Sequence, residues 1–331
     1  MANVLVTGGA GYVGSVCCAE LLRLGHSVTV VDDLSTGFRD AVPDGARLVQ
    51  LDIGDRPPLE SLARSTRFDV VFHFAAKALI AESVRDPGLF FQQNVASAIT
   101  MLETLRAAGI RNFVFSSSAA VYGVPERTPI EEDDPKKPVN SYGETKLMLE
   151  QALQWYAKAY GWSVVAFRYF NAAGATAGLG ERHEPETHII PLLLQAAGGE
   201  RDNFTIYGED YDTPDGTCLR DYVHVLDIAQ AHLCAFEKLN RPGMWAFNIG
   251  LGQSYSVRQI CATAEQVTGR AIPVRSGARR PGDPPELCAS PVRMMRELGW
   301  KPRHSSLTEI IGSAWAWKKK QLSLSANAET Q

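Results

Sequence analysis

The chain is 331 residues long, with 45% hydrophobic and 21% charged residues and a formal net charge of −4. That mix is ordinary for a soluble globular protein of about two domains and excludes disordered, collagen-like and coiled-coil classes. The charge balance points neither to nucleic acid nor to an anionic membrane surface, and no apolar run reaches the ~20 residues of a membrane helix.

The N-terminus enters an apolar run at Val4 with no basic head or cleavage site before it, so a signal peptide is not expected. Cys17, Cys18, Cys218, Cys234, Cys261 and Cys288 contain no Cys-x-x-Cys pair. Reduced thiols in a cytoplasmic protein are expected, rather than a disulfide framework or a zinc knuckle.

Residues 4–6, 28–31, 48–51, 70–73, 113–115 and 164–167 are short β-branched or aromatic runs, mostly apolar on both faces. Strands buried in a parallel sheet have that character. Helix-length segments lie between them, notably 13–24, 95–108 and 141–160. The alternation predicts an α/β fold, a Rossmann-type doubly wound parallel sheet.

The first strand runs into Thr7-Gly8-Gly9-Ala10-Gly11-Tyr12-Val13-Gly14, which opens the first helix. Glycines here serve a tight turn, a close backbone approach to a pyrophosphate and close helix–strand packing. The helix N-terminus offers free N–H groups and a positive dipole end to the anion. Its place at the start of a βαβ unit makes the motif specific for a dinucleotide. Asp32, with Asp33 beside it, stands about 20 positions on, where a carboxylate holds ribose hydroxyls and repels a 2′-phosphate. NAD is therefore expected rather than NADP, with Arg39 the nearest downstream cation.

The fifth strand ends in Ser116-Ser117-Ser118, and the next helix carries Tyr142 and Lys146 at i and i+4, on one face. A free phenol titrates near 10. An ammonium ~6 Å away, at an effective dielectric of ~20, favours the phenolate by roughly 2.8 kcal/mol and brings Tyr142 toward the range of a general base. Ser118 is placed to hydrogen-bond a hydroxyl undergoing oxidation.

From about residue 171 the alternation stops. Loop-rich stretches at 174–186 and 207–217, then a basic, proline-broken run at 275–285, indicate a smaller C-terminal α/β lobe for substrate. The expected organisation is a cofactor domain at 1–170, a substrate domain at 171–321 with segments near 222–250 returning to the first, and a frayed polar tail at 322–331. A strand at 245–248 and a last helix at 307–320 are the clearest elements. The seven histidines show no paired metal-ligand spacing, so no metal is expected.

Taken in this order, these motifs resemble the extended short-chain dehydrogenase/reductases and, within them, the UDP-glucose 4-epimerase (UDP-galactose 4-epimerase) group. The likeness spans nearly the whole chain. It includes His73-Phe74-Ala75-Ala76, Ser116-Ser117-Ser118-Ala119-Ala120-Val121-Tyr122-Gly123, Arg168-Tyr169-Phe170-Asn171, Tyr207-Gly208-Glu209-Asp210, Arg220-Asp221-Tyr222-Val223-His224 and Trp315-Ala316-Trp317.

The resemblance implies an NAD-dependent epimerase that interconverts UDP-glucose and UDP-galactose by transient oxidation at C4. Tyr142, Lys146 and Ser118 would be catalytic. Cofactor contacts would fall to Gly8, Gly11, Tyr12, Val13, Gly14, Asp32, Asp52, Ile53, Phe74, Ala75, Ala76, Asn94, Ser116 and Tyr169, with Tyr142 and Lys146. Besides Ser118 and Tyr142, the substrate would meet Asn171, His188, Tyr207, Arg220, Arg280, Asp283 and Leu287. A cytoplasmic homodimer with no nucleic-acid or membrane partner is also implied.

Three positions depart from the family pattern. Lys77 is displaced by one residue from a cofactor-phosphate lysine, and His188 replaces an asparagine beside the nucleotide diphosphate. Leu287 stands where tyrosine or cysteine borders the sugar 2-substituent, which opens the site to UDP-N-acetylhexosamines. The rivals are other nucleotide-sugar enzymes of the same class: UDP-uronic acid or UDP-pentose 4-epimerases, decarboxylases and dehydratases. Elimination chemistry wants an acid just before Val121-Tyr122-Gly123, where this chain has Ala119 and Ala120. A non-catalytic NAD-binding regulator would be expected to lack Tyr142 or Lys146, and both are present.

Overall fold

The computed structural model of the chain describes residues 1–280 and 282–328. In chain order its strands are β1 (Asn3–Thr7), β2 (Ser27–Asp32), β3 (Arg47–Gln50), β4 (Val70–His73), β5 (Asn112–Ser118), β6 (Ser163–Tyr169), β7 (Asn171–Ala173), β8 (Phe204–Tyr207), β9 (Leu219–His224), β10 (Gly243–Ile249), β11 (Ser254–Ser256), β12 (Val274–Gly277) and β13 (Glu286–Leu287). Seven of them form one parallel sheet in the order β10-β6-β5-β4-β1-β2-β3. Strand order reverses beside β1, so a crevice opens at the C-terminal ends of β1 and β4, where such sheets bind nucleotides.

Side chains alternate across the sheet, and both faces are covered. Val4 and Val6 face a core with Val16, Leu21, Val225, Ile228 and Met294, beneath the helices Tyr12–Arg23, Val225–Cys234 and Val292–Leu298. Leu5 faces the opposite core with Leu59, Met101, Leu102, Leu149 and Leu153, under the helices Arg56–Ser65, Ser97–Ala107 and Ser141–Tyr160. Apolar residues on both faces of each strand follow from this double covering.

The second lobe is built round β9, which pairs with β7, β11 and β13, while β8 pairs with β12. Its own core holds Ile190, Leu193, Ile260, Ile310 and Trp315. The strand β10 lies beyond the second lobe's first strands in sequence but pairs with β6 at the edge of the large sheet.

The last helix runs Leu307–Ala328, past the end expected at 320. The remainder of the expected polar tail, residues 329–331, and Pro281 of the basic run lie outside the described residues. No helix among the described residues is long and apolar enough to cross a membrane.

Candidate active site

The glycine turn is shaped by close contacts that leave no space for side chains. Gly8 has φ +74°, and a Cβ there would lie 2.4 Å from the Ala75 nitrogen. At Gly14 it would lie 2.2 Å from the Gly8 carbonyl oxygen. The Phe74 and Ala75 N–H groups both donate to the Thr7 carbonyl, at 2.8 and 3.1 Å, which seats the segment after β4 against this turn. Gly11 caps the first helix without a side-chain hydrogen bond, leaving the backbone N–H groups of the first turn for an anion. Tyr12 starts that helix and donates its hydroxyl to the Gly174 carbonyl at 2.5 Å, while Val13 packs on the core.

Asp32 ends β2, and its carboxylate accepts from the N–H groups of Ala10 and Leu34, each at 2.9 Å. Burial pushes its pKa up against those two hydrogen bonds. A Cβ at Gly37 would come within 2.9 Å of it, so only glycine lets this loop approach. Arg39 is exposed and donates to the Gln50 side chain at 2.7 Å. Beyond β3, exposed Asp52 accepts from the Gly54 N–H at 2.7 Å and Ile53 is buried. These elements form a glycine-lined cradle with a carboxylate at its far end, which fits a dinucleotide lacking a 2′-phosphate.

Asn94 stands in the turn before the helix Ser97–Ala107, and its side chain is committed within the protein. It accepts from the Lys77 N–H at 2.8 Å and donates to the Lys77 carbonyl at 2.9 Å and the Thr145 hydroxyl at 3.2 Å. Displaced Lys77 extends to the Ser35 hydroxyl at 3.4 Å, across the loop that follows β2.

Asn140 accepts from the Gly143 N–H at 2.8 Å and so starts the helix Ser141–Tyr160, which ends at left-handed Gly161. Tyr142 lies in its first turn, and Ser118 at the end of β5 is near enough to its phenol to lower the phenol's pKa. Ser118 also accepts from the Ala120 N–H at 3.1 Å, which fixes the turn after the strand. Lys146 is 4% exposed. Its Nζ donates to the Ser116 carbonyl at 2.8 Å and lies 5.8 Å from the Tyr142 ring centroid.

The electrostatics correct a simple expectation. Burial raises the Tyr142 phenol above its ordinary value, with Ser118 pulling partly back. Burial also draws the Lys146 ammonium down to about 7, against the attraction of Glu150. Both charged forms lose their hydration, and in the protein alone this outweighs their mutual attraction. His73, hydrogen-bonded to Thr7 at 2.7 Å, is held neutral, its pKa lowered to about 3 by burial and then by Lys146.

Behind Ser117 is a buried network that sequence reasoning did not find. The Ser117 hydroxyl donates to Glu150 at 2.5 Å, and Glu150 takes two bonds from Arg168, at 3.0 and 2.6 Å. Arg168 goes on to the Tyr122 hydroxyl at 2.8 Å, which donates to Asn248 at 2.7 Å. This ties β5, β6 and β10 to the helix bearing Tyr142. The Tyr169 hydroxyl sits 2.5 Å from His232 Nε2, and Ser116 lies near enough to lower its pKa against burial.

The expected substrate residues form smaller groups on the second lobe. Asn171 donates to the Asp221 carbonyl at 2.8 Å. Arg220 is ion-paired with Asp283, and Arg280 lies over the exposed Tyr207 ring, 4.4 Å from its centroid. Leu287 is in register with Arg220 and packs on the cluster of Val121, Tyr122 and Ile130, which brings this lobe to the segment following Ser118. His188 is elsewhere: its Nδ1 faces the carboxylates of Glu181 and Glu186, at 2.8 and 3.1 Å. Asp221, also unforeseen, accepts from the N–H groups of Leu251, Gly252 and Ala289 at 2.9 to 3.2 Å and pins three segments together.

Residues 4–250 match the NAD dependent epimerase/dehydratase family. A UDP-glucose 4-epimerase of Corynebacterium glutamicum is 48% identical over 315 residues, 95% of each chain. Among solved structures, UDP-glucose 4-epimerase from Brucella ovis in complex with NAD superposes with a TM-score of 0.92 at 45% identity, covering 95% of this chain and 98% of that one. The enzyme from Bifidobacterium longum in complex with NAD+ and UDP gives 0.92 at 33% identity, over 97% and 99%.

Proposed function

The chain belongs to the NAD dependent epimerase/dehydratase family, and we propose that it interconverts UDP-glucose and UDP-galactose by oxidising the sugar at C4 and reducing the 4-keto intermediate from the opposite face. The observation that carries this reading is Lys146, held on the Ser116 carbonyl with its Nζ 5.8 Å from the Tyr142 ring centroid, at the crevice of a Rossmann-type sheet.

NAD, when bound, accepts and returns the hydride at C4. The glycine turn would hold its pyrophosphate and Asp32 its adenosine ribose. Tyr142 would take the 4-hydroxyl proton as hydride leaves carbon, and give it back on return. Ser118 would hold the same oxygen and steady the phenolate. Lys146, fixed on the Ser116 carbonyl, supplies the positive charge that makes the phenolate accessible once a second cation lies near. Asn94 would act by positioning Lys77 and Thr145.

Arg220 and Arg280 would neutralise the UDP diphosphate, with Asn171, Tyr207 and Asp283 shaping that end of the site. Leu287, smaller than tyrosine, leaves space at the sugar 2-position, and turnover of UDP-N-acetylhexosamines follows from it. Ala119 and Ala120 offer no acid or base, which disfavours elimination.

The reading extends to a cytoplasmic homodimer. It is supported by six unpaired cysteines, which suit a reducing compartment, and by exposed Ile80, Val84 and Phe91 near a helix that exposes Met148 and Trp155.

Incubating the purified protein with UDP-galactose and no added cofactor tests the function. Proton NMR should show UDP-glucose accumulating with no stoichiometric NADH absorbance. Net NADH release, or no conversion, would refute it.

A further inference from the structure

We propose that the loop between β7 and the helix Ile189–Gly198 is a zinc-binding site, with Glu181, His183, Glu186 and His188 as ligands. The four residues recur as Glu-x-His-x-x-Glu-x-His, and one ligand atom from each lies within 4.8 Å of every other. The two carboxylates are almost fully buried, with side chains 8% and 6% exposed, while His188 stays half open to solvent at 49%.

The four histidine–glutamate separations are close to those of a coordination shell. The nitrogen–oxygen separations are 2.8 and 3.1 Å for His188 and 3.3 and 3.6 Å for His183. A tetrahedral ion with bonds of ~2.0–2.1 Å has ligand–ligand edges of about 3.3 Å. The His183 Nδ1 atom is buried and lacks a hydrogen-bond partner although two carboxylates face it. A nitrogen facing two carboxylates takes either a proton or a shared metal ion, and separations of 3.3 and 3.6 Å are long for a hydrogen bond. Two carboxylates also balance one divalent charge, and an N2O2 set suits Zn2+.

Neighbouring contacts show what the ion would fix. Arg182 turns outward from between two ligands, stacks on the Phe38 ring 3.6 Å from its centroid and pairs with Asp40, beyond β2. Tyr12, in the first turn of the first helix, holds Gly174 at the other end of the loop. A metal here would staple the second lobe to the glycine turn. The site stands apart from the proton-transfer chemistry, so its failure leaves that reading intact.

The test uses the full-length protein, stripped with a chelator, dialysed and titrated with Zn2+ alone in competition with a chromophoric chelator. One Zn2+ per chain is expected, with Co2+ in its place giving the visible bands of a tetrahedral site. His183→Ala and His188→Ala should each weaken binding by about 100-fold or more. Circular dichroism reports whether those variants fold, and the wild-type stoichiometry decides the question without them. No stoichiometric Zn2+ would show the cluster to be histidine–glutamate ion pairs only and overturn the proposal. Binding that both folded variants retain at full strength would overturn it equally.

Discussion

The Lys146 ammonium donates to the Ser116 carbonyl at 2.8 Å, two residues before Ser118, which lowers the pKa of the Tyr142 phenol. One strand end thus positions both halves of the proposed proton-transfer pair. It does so at a cost in hydration, since Lys146 is brought down to about 7.

That cost has a sign. Between pH 7 and 10.5 the unfolded chain holds a proton on Lys146 that the folded chain tends to lose, so this group's penalty is complete below about pH 7 and fades as pH rises. Lys146→Met should therefore raise the melting temperature of the cofactor-free protein at pH 6, with a smaller gain at pH 9.5. Turnover should fall by about 100-fold or more. Calorimetry at the two pH values, with one activity assay, checks both.

Ser118→Ala removes the hydroxyl proposed to hydrogen-bond the group that becomes charged. Such bonds are worth about 1.5–3 kcal/mol, so kcat should fall roughly 10- to 100-fold while NAD content stays unchanged. Steady-state kinetics and cofactor release by denaturation measure the two quantities. An unchanged kcat would remove Ser118 from the reaction.

Glu150 and Arg168 are a buried ion pair, with side chains 6% and 5% exposed. Glu150→Ala leaves the guanidinium without its carboxylate and should destabilise the fold by about 3–5 kcal/mol. Replacing the pair together with apolar residues should cost much less. Urea unfolding of the single and double variants distinguishes these outcomes.

His73 ordinarily titrates near 6.5 but is held near 3, so below pH 6.5 the unfolded chain binds a proton that the folded chain refuses. On that account stability falls as pH falls, and His73→Asn should flatten the slope by up to about 1.4 kcal/mol per pH unit between pH 4.5 and 6. Unfolding titrations of the two proteins across that range provide the comparison.

The large sheet was legible because its strands are short, apolar on both faces and separated by helix-length segments; the runs at 4–6 and 70–73 fall within β1 and β4. The helix over 141–160 was marked at both ends, by Asn140 and Gly161. The helices Arg56–Ser65 and Ile80–Arg85 were not foreseen: the first is proline-started and the second only six residues long. The site residues were legible where local spacing brings them together, as for Gly8 with Gly14 or Tyr142 with Lys146. Glu150 with Arg168, and Asp221 with Ala289, meet only through the tertiary fold, and no local pattern announces them. The Glu181–His188 cluster mixes histidines with carboxylates two or three residues away, a pattern that histidine spacing alone does not display.

The most direct test is turnover of UDP-galactose by Tyr142→Phe, with bound NAD measured on the same sample. The phenol is the one group assigned to carry the proton, so turnover should drop by about 100-fold or more while NAD remains bound. A variant that holds its NAD and epimerises at the wild-type rate would contradict the mechanism.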